Sequence, residues 1–204
     1  MSDLTQEYYK ELLKLEPIFM QRFNSGSSEN QMNHTKRLKC EILQEVEQAK
    51  LKGYNHRKIG INEVIWDIDC HEPALSHQIW QKISTNLQND GVTHSVWDTS
   101  RSFHIHSLFM GLERYCQEDR KTIKKIIIRH YAKEDTVWCD IVTIKSELCS
   151  IREFDSIHET TGKPKKMVYL YLHHGLILNP LKADILNDFN KKVVNPYQAP
   201  KSLT

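Results

Sequence analysis

The 204-residue sequence contains no apolar run approaching the roughly 20 residues that a bilayer-spanning helix needs, so no membrane span is expected. Its start, MSDLTQEYYKELLKLEP, lacks the apolar centre and small-residue cleavage site of a signal peptide, and the expected location is cytoplasmic. The five cysteines, Cys40, Cys70, Cys116, Cys139 and Cys149, form no C-x-x-C pair; zinc and dithiol chemistry lack support, and reduced thiols are expected. An excess of one charge is missing too: the net charge is only +2, so a nucleic-acid site has to be a local patch. Internal repeats and low-complexity tracts are absent. What is present, 39% hydrophobic and 26% charged residues, is an ordinary globular composition at a length that can bury a core without disulfides.

Periodicity divides the chain. Residues 4 to 23 carry Leu4, Tyr8, Leu12, Leu15, Ile18 and Phe19 at helical spacing until NSGSSENQ (24 to 31) breaks the pattern. Residues 33 to 51 place Leu38, Ile42, Leu43, Val46 and Ala49 on one face, predicting a second amphipathic helix that ends near Gly53. Residues 1–58 therefore read as an N-terminal helical segment, 59–192 as the main domain and 193–204 as a frayed tail. From about residue 61, strands and helices alternate. EVIWDIDCHEP (63 to 73) reads as a buried strand, followed by a helix over 74–89 that ends at NDG. VTHSVWDT (92 to 99) and SFHIHSLF (102 to 109) read as a hairpin, a long helix is expected over 110–132, and 136–144, 149–157 and 166–172 lean to β. The fold class expected is α+β, with a mainly antiparallel or mixed sheet flanked by helices.

Three stretches carry chemistry. Side chains at i and i+2 of a strand share a face, so Asp67 and Asp69 point the same way. Two carboxylates this close repel unless a cation or hydrogen bonds neutralise them, and hard divalent ions such as Mg²⁺ or Mn²⁺ suit oxygen ligands; a solvated strand face is the ordinary alternative. In SRSFHIHSLF the same alternation puts Ser102, His104 and His106 on one face, beside Arg101: a phosphate- or metal-binding row, or a polar strand face with one hydrogen-bonded histidine. Asp140, after Val137 and Trp138, is either a third carboxylate for the same ions or a strand-end aspartate. Arg152, Ser156 and His158, then TTGKP with Lys163, Lys165 and Lys166, form a row of donors suited to a triphosphate or a nucleic-acid backbone, or a solvated basic hairpin tip.

As an ordered set these stretches resemble the archaeo-eukaryotic primase, or primase-polymerase, superfamily, in particular its plasmid- and virus-type replication primases. That family is marked by D-x-D/E, then a small residue-x-His, then a hydrophobic residue-Asp; here these stand as Asp67-Ile68-Asp69, Ser102-Phe103-His104 and Cys139-Asp140. REFDSIHETTG (152 to 162) looks like the family's later turn, with Thr160 where several relatives carry lysine. The match covers about residues 61 to 172. It implies a primase-polymerase catalytic core and template-directed nucleotidyl transfer on single-stranded DNA by two metal ions. Asp67, Asp69 and Asp140 would be catalytic and hold Mg²⁺ or Mn²⁺; Arg101, Ser102, His104, Arg152, Ser156 and His158 would bind the nucleoside triphosphate. Lys121, Lys124, Lys125, Lys163, Lys165 and Lys166 are the candidates, on charge, for tracking the template. With no zinc-type cysteine set and no fused helicase, a second primase subunit or a helicase is the expected partner. The rival expectations are a non-catalytic, primase-like accessory subunit that binds single-stranded nucleic acid or a replication partner, and a metal-dependent nuclease.

Overall fold

The computed structural model describes residues 3–22, 37–140, 149–158 and 161–194. Helix α1 (Asp3–Leu15) is followed by strands β1 (Ile18–Gln21) and β2 (Leu38–Cys40), helix α2 (Leu43–Leu51) and strand β3 (His56–Lys58). Next come β4 (Glu63–Ile68), α3 (Pro73–Asn89), β5 (His94–Asp98), β6 (Phe103–Met110) and α4 (Gln117–Ala132). Strands β7 (Ser150–Arg152), β8 (Lys166–Tyr171) and β9 (Leu178–Pro180) and helix α5 (Ala183–Val194) complete the described elements. The protein is α+β, with two sheets ordered β2-β1-β3-β7 and β4-β6-β5-β8; β9 adds to β6 in parallel, and the other strand pairs are antiparallel.

Strand alternation assigns the two faces of the second sheet. Trp66, Ile68, Val96 and Ile105 pack with Ile79 and Ile83 of α3, Ile123 and Ile127 of α4, and Ile185 of α5. Trp97 and Leu108 on the other face join Tyr8, Tyr9 and Leu12 of α1, Met20 of β1 and Phe154. Ile65 meets Ile59 and Ile151. The second sheet thus lies between a helical layer and the first sheet, and its polar row opens toward the first sheet. Full burial of a side chain such as Ile68 or Ile105 stabilises by about 1.5–3 kcal/mol, which holds β4 and β6 in place.

The expected hairpin and the helix after β4 are present. Pro73 starts α3 where its missing N–H is harmless, and Gly91, at φ +64°, ends the turn with its N–H on the Gln88 carbonyl at 2.8 Å. Other expectations are corrected. The helix expected over 4–23 stops at Leu15, because Pro17 disfavours helical backbone at Glu16, and Ile18–Gln21 becomes a strand. Of the helix expected over 33–51, the described part is Leu43–Leu51 with β2 before it, and residues 33–36 lie outside the described residues; residues 1–58 are not simply helical, since their strands share a sheet with β7. The helix expected over 110–132 starts at Gln117, because β6 continues to Met110 and Gly111, at φ +96°, turns the chain into a short 3-10 segment. Residues 133–138 form a 3-10 segment, so 136–138 do not open the strand expected over 136–144, while 141–148 and the tail from 195 lie outside the described residues.

Candidate active site

Asp67 lies on β4 directly opposite His104 on β6, and Asp69 follows the strand end. Cys139 bridges Ile68 in antiparallel sense: the Asp140 N–H donates to the Asp67 carbonyl and the Asp69 N–H to the Trp138 carbonyl, each at 2.7 Å. In that register Asp140 stands opposite Asp67, and opposed residues of an antiparallel pair share a face. All three aspartates therefore lie on one face at one edge, next to His104. Asp69 is open, with 68% of its side chain exposed and His71 Nε2 at 3.6 Å; Asp67 is 26% exposed and sits 3.1 Å from His104 Nε2. Burial alone would raise the Asp67 carboxyl, but His104, with help from Lys165 and His106, holds it below the ordinary carboxylate value. Among the described residues no group of three or more His, Cys, Asp and Glu side chains is gathered closely enough to enclose a metal ion. The donor chemistry nonetheless fits a hard divalent cation: carboxylate oxygens from β4, from the residue after its end and from the segment bridged to it at Cys139, with that of Asp67 kept ionised.

Behind this edge runs a buried polar chain. The Lys165 side-chain nitrogen has no exposure and lies 3.0 Å from His104 Nδ1, 3.1 Å from His106 Nε2 and 3.1 Å from the Arg152 carbonyl, and burial, with the Arg57 charge, holds its pKa well below the ordinary lysine value. His106 Nδ1 sits 2.9 Å from Glu63 Oε1. Glu63 also accepts both Arg57 terminal nitrogens at 2.6 Å, the Tyr8 hydroxyl at 2.9 Å and the Gly60 N–H at 3.1 Å. Burial favours a neutral Glu63, yet the Arg57 guanidinium and these donors hold its carboxyl well below the usual range. Arg57 Nε lies 3.7 Å from Glu153 Oε2; burial pushes Glu153 up to about 8, against the Phe154 N–H and Lys165. Burial lowers both histidines, with the Lys165 charge lowering them further, while Asp67 raises His104 and Glu63 raises His106.

The remaining predicted residues divide. Ser102 is drawn into the framework: its hydroxyl donates to the Ile68 carbonyl and lies 3.2 Å from Ser76 Oγ, tying hairpin, β4 and α3 together. Arg101 is exposed at the hairpin tip. Arg152 is buried and donates to the Thr99 carbonyl, and its charge, with that of Lys165, acts on His104. Ser156 donates to the Glu153 carbonyl at 2.7 Å. His158 sits in a tight turn, its N–H on the Lys163 carbonyl at 2.8 Å; Thr160 lies outside the described residues. Burial, then Arg152, Lys165 and His158, lowers His56 to about 4, which marks an electropositive cluster on this side of the sheet.

Four of the six candidate template lysines lie inside the protein or on α4, on the face away from the aspartates. Lys165 is internal, as above. Lys124 is buried and donates to the Gly60 carbonyl at 2.9 Å, and Lys121 pairs with Glu118 at 2.7 Å on α4. Lys125 is half-buried on the same helix, which packs on the face of the sheet away from the aspartates. Lys163 and Lys166 are exposed. The bond of 2.7 Å between Ser100 Oγ and Thr161 Oγ1 brings their turn to the hairpin tip that carries Arg101. Composition and spacing did not single out Glu63 or Arg57 for the polar chain; the only signal was a glutamate on a strand otherwise apolar at its start. A scan against protein-family models finds no match, and a search of curated proteins finds none. No helix among the described residues is long and apolar enough to cross a membrane.

Proposed function

We propose that the protein is a primase-polymerase: a template-directed nucleotidyl transferase that takes nucleoside triphosphates and a single-stranded DNA template and uses Mg²⁺ or Mn²⁺. The observation that carries this reading is the register of residues 138–140 against β4, which sets Asp140 opposite Asp67 and puts Asp67, Asp69 and Asp140 on one face beside His104. The three carboxylates are the residues that would hold divalent ions, whose contribution when bound is to make a 3′-hydroxyl more acidic and to stabilise the pyrophosphate leaving group. His104 is placed to donate from its ring to an oxygen at this edge. Arg152 supplies positive potential for a triphosphate, and Arg101, Lys163 and Lys166 give the polyanion exposed cations at the hairpin tip.

One observation favours the accessory reading instead: Asp67 is already paired with His104, 3.1 Å away. Incubation with single-stranded DNA, labelled nucleotides and Mn²⁺ or Mg²⁺ decides between them. Primer synthesis or extension is expected from the wild type and is expected to be lost in Asp67→Ala and Asp140→Ala while DNA binding survives. Binding without product under every metal and nucleotide mixture selects the accessory subunit. Shortening of the DNA selects the nuclease.

A further inference from the structure

The helical face of the second sheet ends, along its β8 margin, in a row of rings. Opposed residues of antiparallel strands share a face, so the pairs Asp98↔Phe103, Asp98↔Lys166, Val96↔Tyr169 and His94↔Tyr171 put Phe103, Lys166, Tyr169 and Tyr171 on the side of Val96, against the helices. Strand β8 is the outer strand of this sheet, and Trp80 of α3 meets it there. Ring centres lie 5.8 Å apart from Phe103 to Trp80, 6.1 Å from Trp80 to Tyr169, and 6.0 and 5.8 Å where buried His94 links Tyr169 to Tyr171. His77 joins the Phe103 end at 5.9 Å. Trp80, Phe103 and Tyr169 back onto the helical core but are only half-buried, as is Tyr171, and His77 is exposed. Two rings are pinned by their polar edges: Trp80 Nε1 donates to His77 Nδ1 at 3.1 Å, and Gln88 donates to the Tyr169 hydroxyl. Rings held in this way lose little further freedom when a ligand binds.

The row has a cationic end. Lys166 is exposed on the same face, and Arg101 and Lys163 are exposed at the adjoining hairpin tip. Asp98, the acid opposite Lys166, has its Oδ1 on the Ser100 N–H at 2.6 Å. Half-exposed rings beside cations match a single-stranded nucleic acid on both counts, because every base offers a π-face to a ring and the backbone is a polyanion. An apolar protein segment would match the rings and leave the cations unused. We infer that Phe103, Trp80, Tyr169 and Tyr171 form a stacking platform for the unpaired bases of single-stranded DNA, with Arg101, Lys163 and Lys166 holding its phosphates at one end. That the strand is the template rests on the primase-polymerase reading; the platform itself does not. Phe103 stands opposite Ile68, the residue before Asp69, so the row begins at the sheet end that carries the aspartates and runs away from it on the other face. DNA leaving the acids need only turn over that end to reach the rings.

Photocrosslinking of the full wild-type chain to single-stranded DNA carrying iodouracil reads this without a variant. Crosslinks located by mass spectrometry are expected at Trp80, Phe103, Tyr169 or Tyr171. Crosslinks confined to other surfaces overturn the platform, as does an absence of DNA binding. An abasic oligonucleotide of the same length keeps the phosphates and removes the stacking. By fluorescence anisotropy it should bind at least about 5-fold more weakly than the thymidine oligonucleotide, the loss of one stacked base; equal affinities would mean that only the backbone is held and would overturn the platform. Trp80→Ala should raise Kd by about 5–150-fold, and Trp80→Phe, which keeps a ring, should retain most of the affinity. A folded Trp80→Ala that binds like the wild type refutes the inference; if that variant does not fold, the crosslinks and the abasic comparison decide. Crosslinks at the rings without primer synthesis would sink the enzymatic reading and leave the platform standing, and primer synthesis with crosslinks confined elsewhere would do the reverse.

Discussion

Arg57→Met tests how far the buried ion pair supports the fold. Arg57 and Glu63 are almost wholly enclosed, with side-chain exposures of 1% and 0%, and meet in a bidentate contact at 2.6 Å. Methionine fills much of the arginine stem's volume but leaves the Glu63 carboxylate in the core with only the Tyr8 hydroxyl, His106 and the Gly60 N–H. Removing one partner of such a pair typically costs about 3–5 kcal/mol, because the remaining charge is uncompensated. Against a usual total of about 5–15 kcal/mol this is a large fraction. At a typical urea slope near 2 kcal/mol per molar, the unfolding midpoint should fall by about 2 M, and the melting temperature by about 6–20 °C. Urea titration followed by tryptophan fluorescence measures it, since Trp66 and Trp97 are buried. The double variant Arg57→Met/Glu63→Leu should be more stable than Arg57→Met, because it no longer buries a lone charge. A midpoint shift below about 0.5 M, or a double variant less stable than the single one, would refute this account of the core.

The acid limb of stability follows from the same residue. The folded-state carboxyl of Glu63 is depressed, so its contribution is present above its unfolded value near 4.5 and is lost as pH falls through the folded value. Urea unfolding at pH 7, 5, 4 and 3 should therefore show stability falling below about pH 4.5, and Glu63→Gln should flatten that fall while lowering stability at pH 7. Gly91→Ala should destabilise by about 1–2 kcal/mol for the left-handed backbone alone, with an added clash because the new methyl would lie 2.7 Å from His173 Cε1. In a His173→Ala background the clash component should disappear and the backbone component remain, as measured by the same titration.

Much of the second sheet was legible because its signals are local. Alternation in SFHIHSLF put His104 and His106 on one face of their strand, and alternation in EVIWDID put Asp67 and Asp69 on one face of theirs, without any tertiary information. The start and stop of α3 are written in Pro73 and Asp90-Gly91. The first sheet was not legible, since strands of three or four residues, such as Leu38–Cys40 and His56–Lys58, are too short to show a period, and Pro17 was the one mark that the first helix ends early. At the site, the order of acids and histidine could be read, and the pairing of Asp140 with Asp67 could not, because it depends on a bridge at Cys139 after a 3-10 turn. Lys165 was misread for a general reason: in KPKK it looks like its exposed neighbours Lys163 and Lys166, and only the acceptors across the sheet explain its burial.

The pairing of β3 with β7 has a consequence for how the molecule assembles. Arg57 pairs with Ile151 across roughly 90 intervening residues, so this contact closes a long loop, whereas β5 and β6 meet across a short turn. Loop-closure cost orders such events: the β5–β6 hairpin, then β4, with α3 and α4 packed on them, can form from nearby sequence, and the first sheet can be completed only afterwards. Until then the polar chain from Asp67 to Glu63 faces water, with Lys165 not yet brought between the histidines. The face that carries the aspartates would thus be laid out early, and its dry backing would be the last part of the protein to close.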